Sequence, residues 1–150
     1  MPFSYPRTIR FHETDGAGVV YFATVLSLCH EAYEASLVAA GIEVQAFFSP
    51  VGSVVPIVHA SVDFFKPLRC GDRIQIHLTP TRLSENSFTI TYEMFQPEAF
   101  LSQELPTQRP LVQALTRHVC IQADSRQRQL LKPVLEQWLE RYCAHDAARN

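Results

Sequence analysis

The sequence predicts an α+β domain: a five-stranded, mostly antiparallel sheet wrapped around one long central helix, with a further helix at the C-terminus. Three observations carry this expectation. A single long helical pattern begins near Thr24 and is poor in charge. One strand-like segment precedes it. Four more follow in series, and such a meander suits a curved antiparallel sheet wrapped around one buried helix.

Taken in order, Tyr5 to Phe11 alternates, with Tyr5, Arg7, Ile9 and Phe11 on one face, and is read as the first strand. His12 to Gly18 is a turn-rich break containing two glycines. From about Thr24, the residues Val25, Leu28, Cys29, Ala32, Ser36 and Ala39 recur at three- and four-residue spacing, and Gly41 supplies a stop. With Glu31 and Glu34 as its only charges of note, this helix is expected to be buried over much of its circumference. Residues 42–53 are irregular, with a short helical turn near Val44 to Phe48. Strand signals then cover Val54 to Phe65, Asp72 to Leu83, Ser87 to Phe95 and Leu111 to Gln122. Gln96 to Pro110, with three prolines, is read as a long hairpin loop. Lys132 to His145 closes the chain as a helix burying Val134, Leu135, Trp138, Leu139 and Tyr142.

A chain of 150 residues fits one domain, here 1–150 with its core at about 3–123 and the terminal helix at about 132–146. Its 47% hydrophobic and 19% charged residues are ordinary for a globular protein. The net charge of −2 argues against a general nucleic-acid binder, which would show a basic stripe. The four cysteines form no C-x-x-C pair and read as reduced, mostly buried thiols. No apolar run approaches the roughly 20 residues of a membrane span, and the N-terminus shows no signal-peptide core. A cytoplasmic protein without membrane or nucleic-acid partners is therefore expected.

The segment richest in chemistry is His12 to Phe22. An Asp in a glycine-containing turn is usually a local turn former. Asp15, however, precedes an apolar run that enters the buried helix, so its loop should lie at the helix N-terminus. First-turn N–H groups there lack intrahelical partners, and the helix dipole favours negative charge. A carboxylate beside such donors suits acyl-thioester hydrolysis, which needs a group to attack or to activate water and another to hold the oxyanion.

The stretch Asp15-x-x-Gly18-Val19-Val20-Tyr21-Phe22, followed by His30-Glu31-Ala32-Tyr33-Glu34, resembles the 4-hydroxybenzoyl-CoA thioesterase family of hot-dog proteins. The match continues through Val58 to Phe64, Pro67 and Gly71-Asp72, and covers roughly residues 5–122. Within that family, VVYF, CHEAYE, VHASVDFF and TRHVCI are similar to a cyanobacterial subgroup, the 1,4-dihydroxy-2-naphthoyl-CoA hydrolases of phylloquinone synthesis. The resemblance implies a hot-dog fold, acyl-CoA as substrate, no metal or organic cofactor, and a homodimer or homotetramer with sites at subunit interfaces. It places Asp15 on the catalytic aspartate and Phe22 on the position whose backbone N–H serves the oxyanion hole. Some relatives carry an Asp where this chain has Glu13, which is expected to be a solvated strand-end charge without a role.

Rival carboxylates are Glu31 and Glu34, since another branch of the fold uses a helical Glu, but its His-Gly-Gly segment is absent. His30-Glu31-x-x-Glu34 lacks the second His of a zinc motif. His59 and His118 read as packed core or interface residues, and no Ser sits in G-x-S-x-G. Lys66, Arg69 and Arg73 cluster near one turn and are candidates for the CoA phosphates. A general acyl-CoA or acyl-carrier-protein thioesterase, a dehydratase of the same fold, or a non-catalytic acyl-CoA-binding domain stay as alternatives.

Overall fold

The computed structural model describes residues 1–97 and 109–144. Its elements are β1 (Phe3–Thr8), a 3-10 turn (Phe11–Glu13), α1 (Thr24–Ala39), α2 (Val44–Phe47), β2 (Ser53–Val54), β3 (Ile57–Phe64), β4 (Arg73–Ser84), β5 (Ser87–Phe95), β6 (Val112–Val119), β7 (Ile121–Gln122) and α3 (Pro133–Tyr142). Five strands form one sheet in the order β1-β4-β5-β6-β3, with every neighbouring pair antiparallel. β2 and β7 pair in a separate small ribbon.

Strand alternation decides which residues face α1. Ile74, Ile76 and Leu78 of β4 are buried, as are Phe88, Ile90, Tyr92 and Met94 of β5 and Val112 and Ala114 of β6. They pack on Val25, Leu28, Cys29, Ala32, Tyr33 and Leu37 of α1 in one cluster. α1 is less enclosed than its sequence suggests, for Ser27, Glu34, Val38 and Ala39 lie exposed along its other side. β3, at the sheet edge, is exposed along nearly its whole length.

α3 closes the end of the core. Leu135, Trp138, Leu139 and Tyr142 are buried, whereas Val134, expected on the same face, is exposed. Trp138 packs edge-on against Tyr33 and Phe88, and its indole N–H donates to Ser36 Oγ at 3.0 Å. Pro133 begins the helix, where its missing N–H costs nothing.

Three boundaries differ from expectation. The first strand ends at Thr8 rather than Phe11, because the chain turns into the 3-10 segment and leaves Phe11 exposed. The segment Val54 to Phe65 is split between β2 and β3 at Val55-Pro56. Pro56 has no N–H to continue a ladder, although its carbonyl accepts from Val119. Opposite it, Leu111 to Gln122 breaks at Cys120, whose N–H turns away to Asn86 O. The expected helical turn near residue 44 is present, and both Glu43 carboxylate oxygens cap it through the Gln45 and Ala46 N–H groups. Most of the expected loop, residues 98–108, and the expected helix end at 145–146 lie outside the described residues.

Candidate active site

Between β1 and α1, the chain forms a loop that leads Asp15 to the start of the helix. Val20 N–H donates to Leu68 O, and Val19 bridges Arg69, so one limb of the loop is stitched to the β3–β4 connection. Asp15 N–H donates to Val19 O at 2.9 Å, and Gly18 N–H returns to Asp15 O at 3.0 Å. Gly18 has φ +77, a backbone conformation that other residues seldom adopt, so its place in the motif has a steric cause. Asp15 Oδ1 accepts the Ala17 N–H at 2.8 Å. The residue is thus a turn former as well as an exposed carboxylate at the mouth of a cleft.

That cleft has a volume of about 370 Å³ and is lined by Asp15, Phe22 and Val25 on one side and by Phe64, Phe65 and Lys66 on the other. Its walls are largely apolar, as expected of a small-molecule site. The N-terminus of α1 opens beside it: Ala23 provides no side-chain cap, and no acidic residue occupies the first turn. Among the described residues, the Phe22 N–H meets no backbone acceptor. Asp15 and Phe22, the latter just ahead of the helix start, therefore line one apolar cavity. Such a pair can deliver a nucleophile or a base to a thioester carbon while a donor receives the oxygen.

Of the three cations expected at the CoA phosphates, only Lys66 lines this cleft. Arg69 is exposed on the turn, where its backbone N–H donates to Asp72 Oδ2. Arg73 borders a different hollow together with Arg7, Arg10 and Glu31. A second group of cations escaped the sequence reading: Arg117, Arg126 and Arg128 line a cleft of about 500 Å³ that no acidic residue lines. They come from β6 and from the segment after β7, so their spacing gave no local signal.

Glu13 corrects the sequence reading most sharply. Expected to be solvated, it is only 4% exposed. Its carboxylate accepts from both terminal nitrogens of Arg7, at 2.5 and 2.8 Å, and from the Arg10 N–H at 2.8 Å. A buried charge demands such pairing. Glu31, on α1, accepts from Arg7 Nε at 2.9 Å, from Nη2 at 3.0 Å and from the Tyr5 hydroxyl at 3.3 Å. These bonds, those from Arg7 foremost, hold the Glu31 carboxyl below its ordinary pKa. Glu34 contacts His30 Nδ1 at 3.2 Å on the exposed side of α1.

His59 is exposed on β3. His118 is buried, stacks on Phe88, and shares a hydrogen bond with Thr116 Oγ1 at 2.8 Å. Burial, helped by nearby His30, lowers its pKa to about 4, so the ring is neutral at pH 7. Among the described residues, no group of three or more His, Cys, Asp or Glu side chains is placed to hold a metal, and no helix is long and apolar enough to cross a membrane.

A sheet curved over one helix, with a carboxylate and an open helix start sharing a cleft, defines a thioester hydrolase of the hot-dog fold. Residues 9–139 match the thioesterase-like superfamily, and the chain belongs to it. It is 50% identical over 136 residues to a 1,4-dihydroxy-2-naphthoyl-CoA hydrolase of Crocosphaera subtropica, covering 91% of this chain and 94% of the relative. A hydrolase of the same name from Nostoc punctiforme is 48% identical, with 93% and 88% covered. The crystal structure of a 1,4-dihydroxy-2-naphthoyl-CoA thioesterase from Synechocystis superposes with a TM-score of 0.82 at 38% identity, covering 93% of this chain and 96% of that one.

Proposed function

We propose that the protein hydrolyses 1,4-dihydroxy-2-naphthoyl-CoA to the free acid and CoA, in the cytoplasm and in the service of phylloquinone synthesis. The observation that carries the reading is the shared cleft of Asp15 and the α1 N-terminus, taken with the activity for which relatives near 50% identity are named. In this reaction Asp15 either takes a proton from the water that attacks the thioester carbon, or attacks that carbon itself to form a mixed anhydride that water then hydrolyses to the free acid. The Phe22 N–H holds the oxyanion, the C–S bond breaks, and CoA leaves as a thiol after gaining a proton. Phe22, Phe64 and Phe65 supply flat apolar surface for a bicyclic ring, each well-set aromatic contact contributing about 0.5–1.5 kcal/mol. Tyr33 and Phe47, by contrast, belong to the core.

Among the described residues the outer edge of β3 has no partner strand, and this edge and the open side of α1 support association of two or more copies, because a bare edge invites strand pairing. The test is kcat/KM for naphthoyl, benzoyl and medium-chain fatty acyl-CoAs under one condition, with light scattering on the same sample. The dihydroxynaphthoyl ester should turn over best, and the mass should exceed the 17.0 kDa chain. Faster hydrolysis of fatty acyl esters would move the chain to a general acyl-CoA role.

The CoA phosphates need cations. Lys66 stands at the reactive cleft, Arg69 and Arg73 lie along the turn beyond it, and Arg117, Arg126 and Arg128 line a separate cleft that no acidic residue lines. Replacing the last three with Gln should raise KM several-fold while kcat changes little. That effect should fade as salt rises, since exposed charges are screened over about 8–10 Å. If only the triple variant of Lys66, Arg69 and Arg73 raises KM at low salt, the phosphates bind at the turn instead.

A further inference from the structure

We infer that Glu13 and Arg7 are positioning residues that set Asp15 against the N-terminus of α1. The inference rests on reading Asp15 as the reactive carboxylate. The geometry behind it is a single guanidinium with every donor engaged. Arg7 has five N–H donors. They go to Glu31 from Nε and Nη2, to Glu13 from Nη1 and Nη2, and to the Thr8 carbonyl from Nη1. One planar fork therefore joins β1, the Asp15 loop and α1. The side chain is 16% exposed, so solvent competes for these bonds only weakly. Its hydrogen bonds to Glu31 and then to Glu13 raise its pKa above the ordinary value.

Glu13 itself touches both limbs of the loop. Its carboxylate caps Arg10 N–H on the entering limb, while its backbone carbonyl accepts Tyr21 N–H on the leaving limb at 2.9 Å. The next residue, Thr14, bridges Val20, and Asp15 follows with its own N–H on Val19. Asp15 thus lies two residues from the clamp on one side, and Phe22 follows Tyr21 directly on the other. Because Glu31 is on α1, the same arginine fixes the helix that presents the Phe22 N–H. The distance between carboxylate and oxyanion donor is consequently set by a network that touches neither. A misplacement of about 1 Å between reacting groups can cost on the order of 100-fold in rate.

The experiment compares Glu13→Gln, Arg7→Lys and Glu31→Gln with Asp15→Asn, using Glu34→Gln on the exposed side of α1 as control. Glutamine keeps the shape of glutamate without its charge, whereas lysine keeps charge but not the fork. For Glu13→Gln and Arg7→Lys, kcat per folded chain should fall about 10–100-fold with KM and product CoA affinity nearly unchanged. Glu31→Gln, removing an exposed partner, should fall about tenfold and serves as the test if the buried variants do not fold. In an Asp15→Asn background, Glu13→Gln should add no further loss, since it acts through Asp15. The inference is overturned if these variants keep kcat within about threefold of wild type while Asp15→Asn is inactive, or if kcat and CoA affinity fall together. An active Asp15→Asn would instead sink the reading of Asp15 and leave the two failures distinct.

Discussion

Asp15→Asn should fold as the wild type does and lose about 1000-fold or more in kcat, which corresponds to roughly 4 kcal/mol of lost transition-state stabilisation. The structural half of this expectation follows from the turn. Asp15 Oδ1 accepts the Ala17 N–H, and an asparagine carbonyl offers the same acceptor at the same place. The Asp15 backbone bonds to Val19 and Gly18 do not depend on the side chain. The chemical half follows from charge: an amide neither attacks a thioester nor takes a proton from water. Near-wild-type melting with residual activity is therefore the expected signature. Activity within about tenfold of wild type would remove Asp15 from the mechanism and turn attention to Glu31 and Glu34.

Trp138→Ala should act oppositely, destabilising the fold and sparing the chemistry. The indole is fully buried among Tyr33, Phe88 and Tyr142, and its removal opens a cavity between α3, α1 and the sheet. Truncations of this size cost about 3–5 kcal/mol, or on the order of 10 °C in melting temperature for a chain this long. Ser36 Oγ would keep its bond to Tyr33 O, so the penalty is chiefly one of packing. Trp138 does not line the Asp15 cleft, and kcat measured well below the melt should hold. A variant that melts like the wild type would show that α3 contributes little to the core.

The fold was legible where burial imposes a period. The inward faces of β4 and β5 and most of α3 follow from alternation and three-to-four spacing, because each of those residues meets the same core. The break at Cys120 was not, since it depends on a partner strand that leaves the main sheet, whereas the break at Val55-Pro56 had a local signal in the proline itself. Asp15 was legible as a residue type at a helix entrance. Glu13 was not, because its burial depends on Arg7 and Arg7 depends on Glu31, 24 positions away and on another element. Its signal was the shared inward face of Tyr5 and Arg7 on β1, which puts an arginine where a hydrophobe is usual and so demands a buried counter-charge. The arginines at 117, 126 and 128 were hidden for the same nonlocal reason.

Trp138 is also the chain's one tryptophan. Any intrinsic fluorescence excited selectively at the red edge of protein absorption therefore comes from a dry site under α3, set apart from the cleft of Asp15 and Phe22. The emission will follow the docking of α3 as the protein denatures, with a shift toward the red when water reaches the ring. Because Trp138 does not line that cleft, a substrate or product entering it will not wet the ring, and a red shift reports the loosening of α3 rather than occupancy.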